Sequence, residues 1–147
     1  MSKRENIAGD IITKLTAVSS PITFKLIQRE PFKPEELAQA QFPAVYIQSG
    51  DETRELHTLG GVGSGKRSAN IDFVIVGFVK GTTSNIDTLR NQLIEVVEET
   101  LDNDITRGGN ALHTQMIEAN TDEGVLFPYG GVRIVVRVLY EFTRGSS

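Results

Sequence analysis

The residues from Gly60 to Arg67 spell G-G-V-G-S-G-K-R, close to the phosphate-loop pattern G-x-x-x-x-G-K-[ST]. In that loop, backbone amides and the lysine cradle phosphates while the final hydroxyl holds magnesium. Here Arg67 stands where the hydroxyl belongs. A phosphate loop also follows a buried strand and opens a helix, whose amide dipoles hold the anion. In this chain a polar stretch precedes the glycines and a strand pattern follows them, so the segment reads as a hairpin tip. His57 and His113 are the two histidines, and neither has a second ligand at metal spacing. With no G-x-S-x-G and no paired carboxylates placed for acid–base work, the sequence points away from an enzyme and calls for no cofactor or metal.

A second cluster is acidic. Glu95, Glu98, Glu99 and Asp102 fall in one band of a helical stretch, opposite its apolar stripe, and none has Lys or Arg four residues away. Like charges at i,i+3 and i,i+4 cost about 0.2–0.5 kcal/mol per pair, and acids at a helix C-terminus oppose the macrodipole. The band is either a solvated face, or a surface that repels a passing polyanion or docks on a basic partner.

The elements that position these groups follow from periodicity. Around the glycines lies GDETRELHTLGGVGSGKRSANIDFVIVGFVKG, from Gly50 to Gly81. Its second half alternates: Ile71, Phe73, Ile75 and Val79 share one face; Asp72, Val74, Val76 and Phe78 share the other, as in a strand. The first half, Asp51 to Leu59, is mostly polar, which gives a long hairpin arm with little apolar surface to order itself. Arg54, His57, Lys66 and Arg67 are the arm residues expected to meet a neighbouring molecule. The arm is expected to be poorly ordered in a free subunit.

Upstream, Ile7, Ile11, Leu15 and Val18 recur at helical spacing as far as Ser19–Ser20–Pro21. A short strand is expected over 22–27, a proline-led helical turn at Pro34–Leu37, and a second strand over 42–49. Downstream, Ile86, Leu89, Leu93, Val96, Val97 and Leu101 mark a helix from about Ser84 to Leu101. Ser84 and Asp87 have capping-box spacing. Strands are expected over 111–120 and 132–142. Strands set between two helices imply α+β: an antiparallel or mixed β-sheet with two helices packed on one face and a long protruding β-hairpin. The other sheet face holds Val74, Val76, Phe78, Val135 and Leu139, more apolar bulk than a solvated face carries. Either a covering segment or a subunit interface accounts for them.

The 147 residues are read as a single domain, 1–147, with 143–147 set aside as a loose tail. Hydrophobic content of 39%, charged content of 23% and a net charge of -4 suit a globular domain and argue against a general nucleic-acid grip. Without Cys there are no disulfides. No apolar run approaches the ~20 residues of a membrane span, and the N-terminus has no apolar core of signal-peptide length. A soluble protein of the cytoplasm is the expectation from composition.

The order of elements resembles the tail terminator (tail completion) proteins of long-tailed bacteriophages. The resemblance covers most of the chain and lies in the N-terminal amphipathic helix, the segment FPAVYIQSGDE, the apolar strand ANIDFVIVGFVKG, the helix NIDTLRNQLIEVVEETL, and the closing pair ALHTQMIEAN and GGVRIVVRVLYEF. It implies a structural virion protein that assembles as a hexameric ring, caps the tail tube and offers the head-attachment surface. Its partners would be copies of itself, the tube protein, the sheath protein where one exists, and a head-completion or neck protein. DNA would pass through without specific binding, and no membrane is involved. The implied location is the tail or neck of the virion, and the host cytoplasm during assembly. On that resemblance the hairpin becomes an assembly arm and the acidic band a channel lining or docking face. Another phage neck, head-completion or baseplate component, or a small ligand-binding α+β domain of a cell, fits the same pattern of elements.

Overall fold

A computed structural model of the chain describes residues 2–19, 22–56, 66–124 and 126–143, with the side chains at 55, 56, 66, 67, 142 and 143 outside that description. Helix α1, Lys3–Thr16, begins where the Ser2 hydroxyl accepts the Glu5 N–H at 3.3 Å, an N-cap that satisfies one free amide of the first turn. Ile7, Ala8, Ile11 and Leu15 form its buried stripe. Strand β1 is short, Leu26–Gln28. The expected strand over 22–27 therefore starts later, at Leu26. Two 3-10 turns, Pro34–Glu36 and Gln39–Gln41, lead to β2, Ala44–Leu56. Strand β3 spans Lys66–Lys80, α2 spans Ile86–Asp102, β4 spans His113–Thr121 and β5 spans Tyr129–Thr143.

The strands form one sheet in the order β1-β2-β3-β5-β4. Strand β1 runs parallel to β2 and every other neighbour pair is antiparallel, so the sheet is mixed. The period of two in β3 and β5 sets the register. Ile71, Phe73 and Ile75 lie opposite Val138, Val136 and Ile134, and all six are fully buried. Both helices close over this inner face, joining Ile7, Ile11 and Leu15 to Leu93, Val96 and Val97 in one core. Gly77 is a point of close approach: a Cβ there would lie 2.9 Å from both methyls of Leu93. The fold is α+β with both helices on one face.

The cap of α2 differs from the expected Ser84–Asp87 box. Asn85 is the N-cap residue and gives the helix no side-chain cap; its Oδ1 instead accepts the Thr82 N–H at 2.7 Å. The exposed edge of β4 is broken by a bulge between Met116 and Glu118, a device that discourages pairing with another strand.

Candidate functional site

The surface with the most unspent apolar and ionic character is the sheet face turned away from the helices. Phe78 and Val135 are already buried, at 7% and 6% exposed, whereas Val74, Val76 and Leu139 are half-buried. The cover over Phe78 comes from Phe32, in the segment between β1 and the first 3-10 turn. Its ring meets Tyr46 at 5.3 Å edge-to-face and Phe78 at 5.7 Å. Leu126, between β4 and β5, lies over the same end, with its Cδ1 3.2 Å from where a Cβ on Gly131 would stand. Both readings of this face therefore apply to different parts of it. A covering segment accounts for Phe78, and the open part is centred on Val74 and Val76.

Two hollows indent the open part. One, of about 410 Å³, lies among Tyr46, Val76, Phe78, Leu126 and Arg133. The other, of about 460 Å³, lies among Val74, Val135, Ile117, Arg133 and Arg137. Arg137 is spent on Asp72 through two hydrogen bonds of 2.9 and 3.1 Å. Arg133 only approaches Glu118, at 3.8 Å.

The arm is less autonomous than its composition suggests. Strand β2 pairs with β3 out to Leu56 opposite Arg67, and β3 pairs on its other side out to Lys66 opposite Thr143. A bulge between Ser49 and Glu52 shifts the register, so Glu52 and Arg54 turn onto the inner face. Gly50 allows it: a Cβ there would sit 2.9 Å from the Asp72 carbonyl oxygen. The Tyr140 hydroxyl donates to Glu52 Oε1 at 2.7 Å, Arg54 Nε donates to Oε2 at 2.5 Å, and Arg4 Nε lies 3.4 Å from Oε1. The expectation that the arm has little within its own subunit to order it is thus corrected over residues 51–56, where strand pairing on β3 and the contacts of Glu52 with Arg4 of α1 and Tyr140 of β5 hold it. Arg54 is engaged within its own subunit. His57 and the glycine tip lie outside the described residues, as do the side chains of Lys66 and Arg67.

Glu52 and Tyr140 are coupled in their protonation. Burial pushes the Glu52 carboxyl up, but the Tyr140 hydroxyl, Arg54 and Arg4 outweigh it and hold the group below its ordinary value. Burial and the hydrogen bond to Glu52 push the Tyr140 phenol up to about 12. A folded pKa raised above the unfolded value of 10.0 means that this stabilisation is whole below pH 10 and is lost as pH rises to about 12. The stability gap between the native protein and Tyr140→Phe, from urea unfolding, should therefore narrow across that interval. A gap that stays constant would show that the phenol is not held in its protonated form by the fold.

Glu95, Glu98, Glu99 and Asp102 are all exposed along α2. None makes an ion pair shorter than 4.0 Å among the described residues. Glu99 lines a groove of about 460 Å³ between the C-terminal turns of the two helices, together with Lys14, Val18, Asn103 and Asp104. Below it lies a network that sequence reasoning missed. Arg107, with no exposed surface, donates through Nη2 to the carbonyls of Leu101 and Asp104, and its Nη1 lies 3.4 Å from Asp10 of α1. Lys14 bridges Asp10 at 2.8 Å and Asp104 at 3.4 Å. Hydrogen bonds from the Thr106 hydroxyl and the Gly108 amide, aided by Lys14, hold the Asp104 carboxyl well below its usual range. A second buried charge, Arg90, pairs with Asp122 and Asp87 at 3.0 Å each.

His113 is exposed at the start of β4. No group of three or more His, Cys, Asp or Glu is placed to hold a metal among the described residues, and none of the helices among them is long and apolar enough to cross a membrane.

No family model and no curated protein matches the sequence. Among solved structures, a chain of one described as "Virion of native gene transfer agent (GTA) particle" is similar over 96% of this chain and 92% of that chain, at 10% identity and a TM-score of 0.37.

Proposed function

We propose that the chain is a structural virion protein of the tail-terminator kind, whose copies form a hexameric ring that caps the tail tube and presents the head-attachment surface. The observation that carries this reading is the inequality of the two sheet faces. Helices bury the centre of one, while the other keeps Val74, Val76 and Leu139 only half-buried, with Val74 and Val76 each lining an open hollow. A half-open apolar sheet face rimmed by charges marks a contact surface. The direct test adds purified protein to growing tail tubes. Elongation should stop, with a ring at the tube end; tubes that keep growing under saturating protein would contradict the proposal.

The acidic band of α2 takes its place as the ring's channel lining or docking face. Replacing Glu98 and Glu99 by Lys should leave the fold intact, even slightly stabilised by relief of the helix dipole. The same change should impair particle assembly or DNA passage. Normal infectivity in a complementation assay would return the band to a solvated surface.

A further inference from the structure

One row of side chains crosses the open sheet face. Tyr46 lies opposite Val76, Val76 opposite Arg133, and Arg133 opposite Asn120. Residues directly opposed on an antiparallel ladder share a face. Two residues along, Phe78 lies opposite Gly131, so β5 gives that row no side chain. Val76, Phe78 and Gly131 line the hollow of about 410 Å³, and Leu126 walls it beside Gly131. That volume falls within the ~300–1,000 Å³ of ligand sites.

The polar groups of this hollow are few, and two of them are free. Asp122 is the one carboxylate in its lining, and it is engaged. Its side chain, 8% exposed, accepts from Arg90 Nη1 at 3.0 Å and from the Leu126 N–H at 2.9 Å. Arg133, its side chain 52% exposed, makes no hydrogen bond among the described residues and only approaches Glu118 at 3.8 Å. An exposed pair at that separation contributes little, and the other oxygen of Glu118 accepts Asn120 Nδ2 at 2.8 Å. Phe32 holds the Tyr46 ring edge-to-face at 5.3 Å, while the Tyr46 hydroxyl has no hydrogen bond among the described residues.

An apolar hollow with a free guanidinium and a free phenol hydroxyl suits an apolar group that carries a carboxylate. The register says how close the two must be. Val76 and Arg133 are direct neighbours, with Cβ atoms about 5 Å apart. Along an extended chain the next side chain points to the opposite face, and the one after lies ~7 Å further on. A C-terminal residue instead carries its side chain and its carboxylate on one Cα.

We propose that this hollow binds the C-terminus of a partner protein that ends in a large apolar residue. The apolar side chain sits over Val76 and Phe78, and the terminal carboxylate meets Arg133 and Tyr46. The inference rests on the reading of this sheet face as a contact surface. It gives the Val76 side to a second protein and leaves the Val74 side to copies of the chain.

The test uses the full chain and the peptide Gly-Ser-Gly-Ser-Phe, labelled at its N-terminus and followed by fluorescence anisotropy. The free acid should bind saturably. Its C-terminal amide should bind about tenfold or more weakly, as for a lost hydrogen bond to a charged group. A peptide ending in Ser should not bind. Arg133→Gln should bring the free acid to the level of the amide and leave the amide unchanged. Leu126→Ser, which removes an exposed wall, should weaken both peptides and leave the native mass of the chain as it was. Equal binding of acid and amide overturns the inference, as does native-like binding of the acid by Arg133→Gln. Three other occupants would also overturn it. An amidated peptide with an internal Phe-Asp pair that binds as tightly as the free acid gives the hollow to an internal segment. Free 3-phenylpropionate doing so gives it to a small carboxylate, and loss of assembly in Leu126→Ser gives it to a second copy. A ring that binds none of the peptides overturns this inference alone. Acid-selective binding by a chain that is monomeric at every concentration sustains it and overturns the ring.

Discussion

Arg107→Ala is expected to destabilise the fold by about 3–5 kcal/mol, the range for breaking a buried charge pair from one side. The guanidinium is fully buried and does three things at once. It satisfies the Leu101 and Asp104 carbonyls at the end of α2, where intrahelical donors have run out. It also faces Asp10, so the end of α2 is tied to the middle of α1. Truncation takes the side-chain donor from the Leu101 and Asp104 carbonyls, removes a cation that faces Asp10, and leaves a hole where a long side chain stood. Lys14 keeps its 2.8 Å contact with Asp10, which limits the loss on the α1 side. Arg107→Lys should recover only part of it, because one ammonium lacks the forked geometry that reaches both helices. Urea unfolding checks both, and a midpoint unchanged in Arg107→Ala would refute the role assigned to this side chain.

The second large effect belongs to the contact between α2 and the sheet. Leu93→Ala should cost about 2–5 kcal/mol through lost burial and the cavity left behind, since Leu93 is fully buried in the core. Gly77→Ala should cost about 1–3 kcal/mol by overpacking, its new methyl meeting both Leu93 methyls at 2.9 Å. The two together should cost clearly less than their sum, because the methyl on residue 77 enters the space that Leu93 vacates. Strict additivity in the unfolding free energies would mean that the two residues do not share the contact.

What the sequence made legible, and what it hid, follows from how local each signal is. The alternation through Ile71, Phe73 and Ile75, and again through Ile134, Val136 and Val138, gave β3 and β5 and their inner face. The stripe of Leu93, Val96, Val97 and Leu101 gave α2, within two residues at its start. The polar run 51–56 carries no alternation, so the bulge that turns Glu52 inward left no trace. Its partner Tyr140 stands 88 residues away. Arg107 reads as one more charged loop residue; the two glycines after it hint at the tight turn in which it takes φ +50. Arg90 lies beside an apolar stripe and reads as its polar edge, because its partner Asp122 comes from a different loop. Phe32, in an irregular segment between two prolines, offered no period by which to predict the cover it provides over Phe78. The candidate site was legible as a face through Val74 and Val76, and hidden where loops meet it.

The central claim is that one subunit leaves a contact surface incomplete and that copies of the chain complete it. Native mass measurement of the purified protein over a range of concentrations tests this most directly. The account predicts a species of six subunit masses that grows with concentration at the expense of the monomer. A single monomeric species throughout, with the fold intact by circular dichroism, would contradict it.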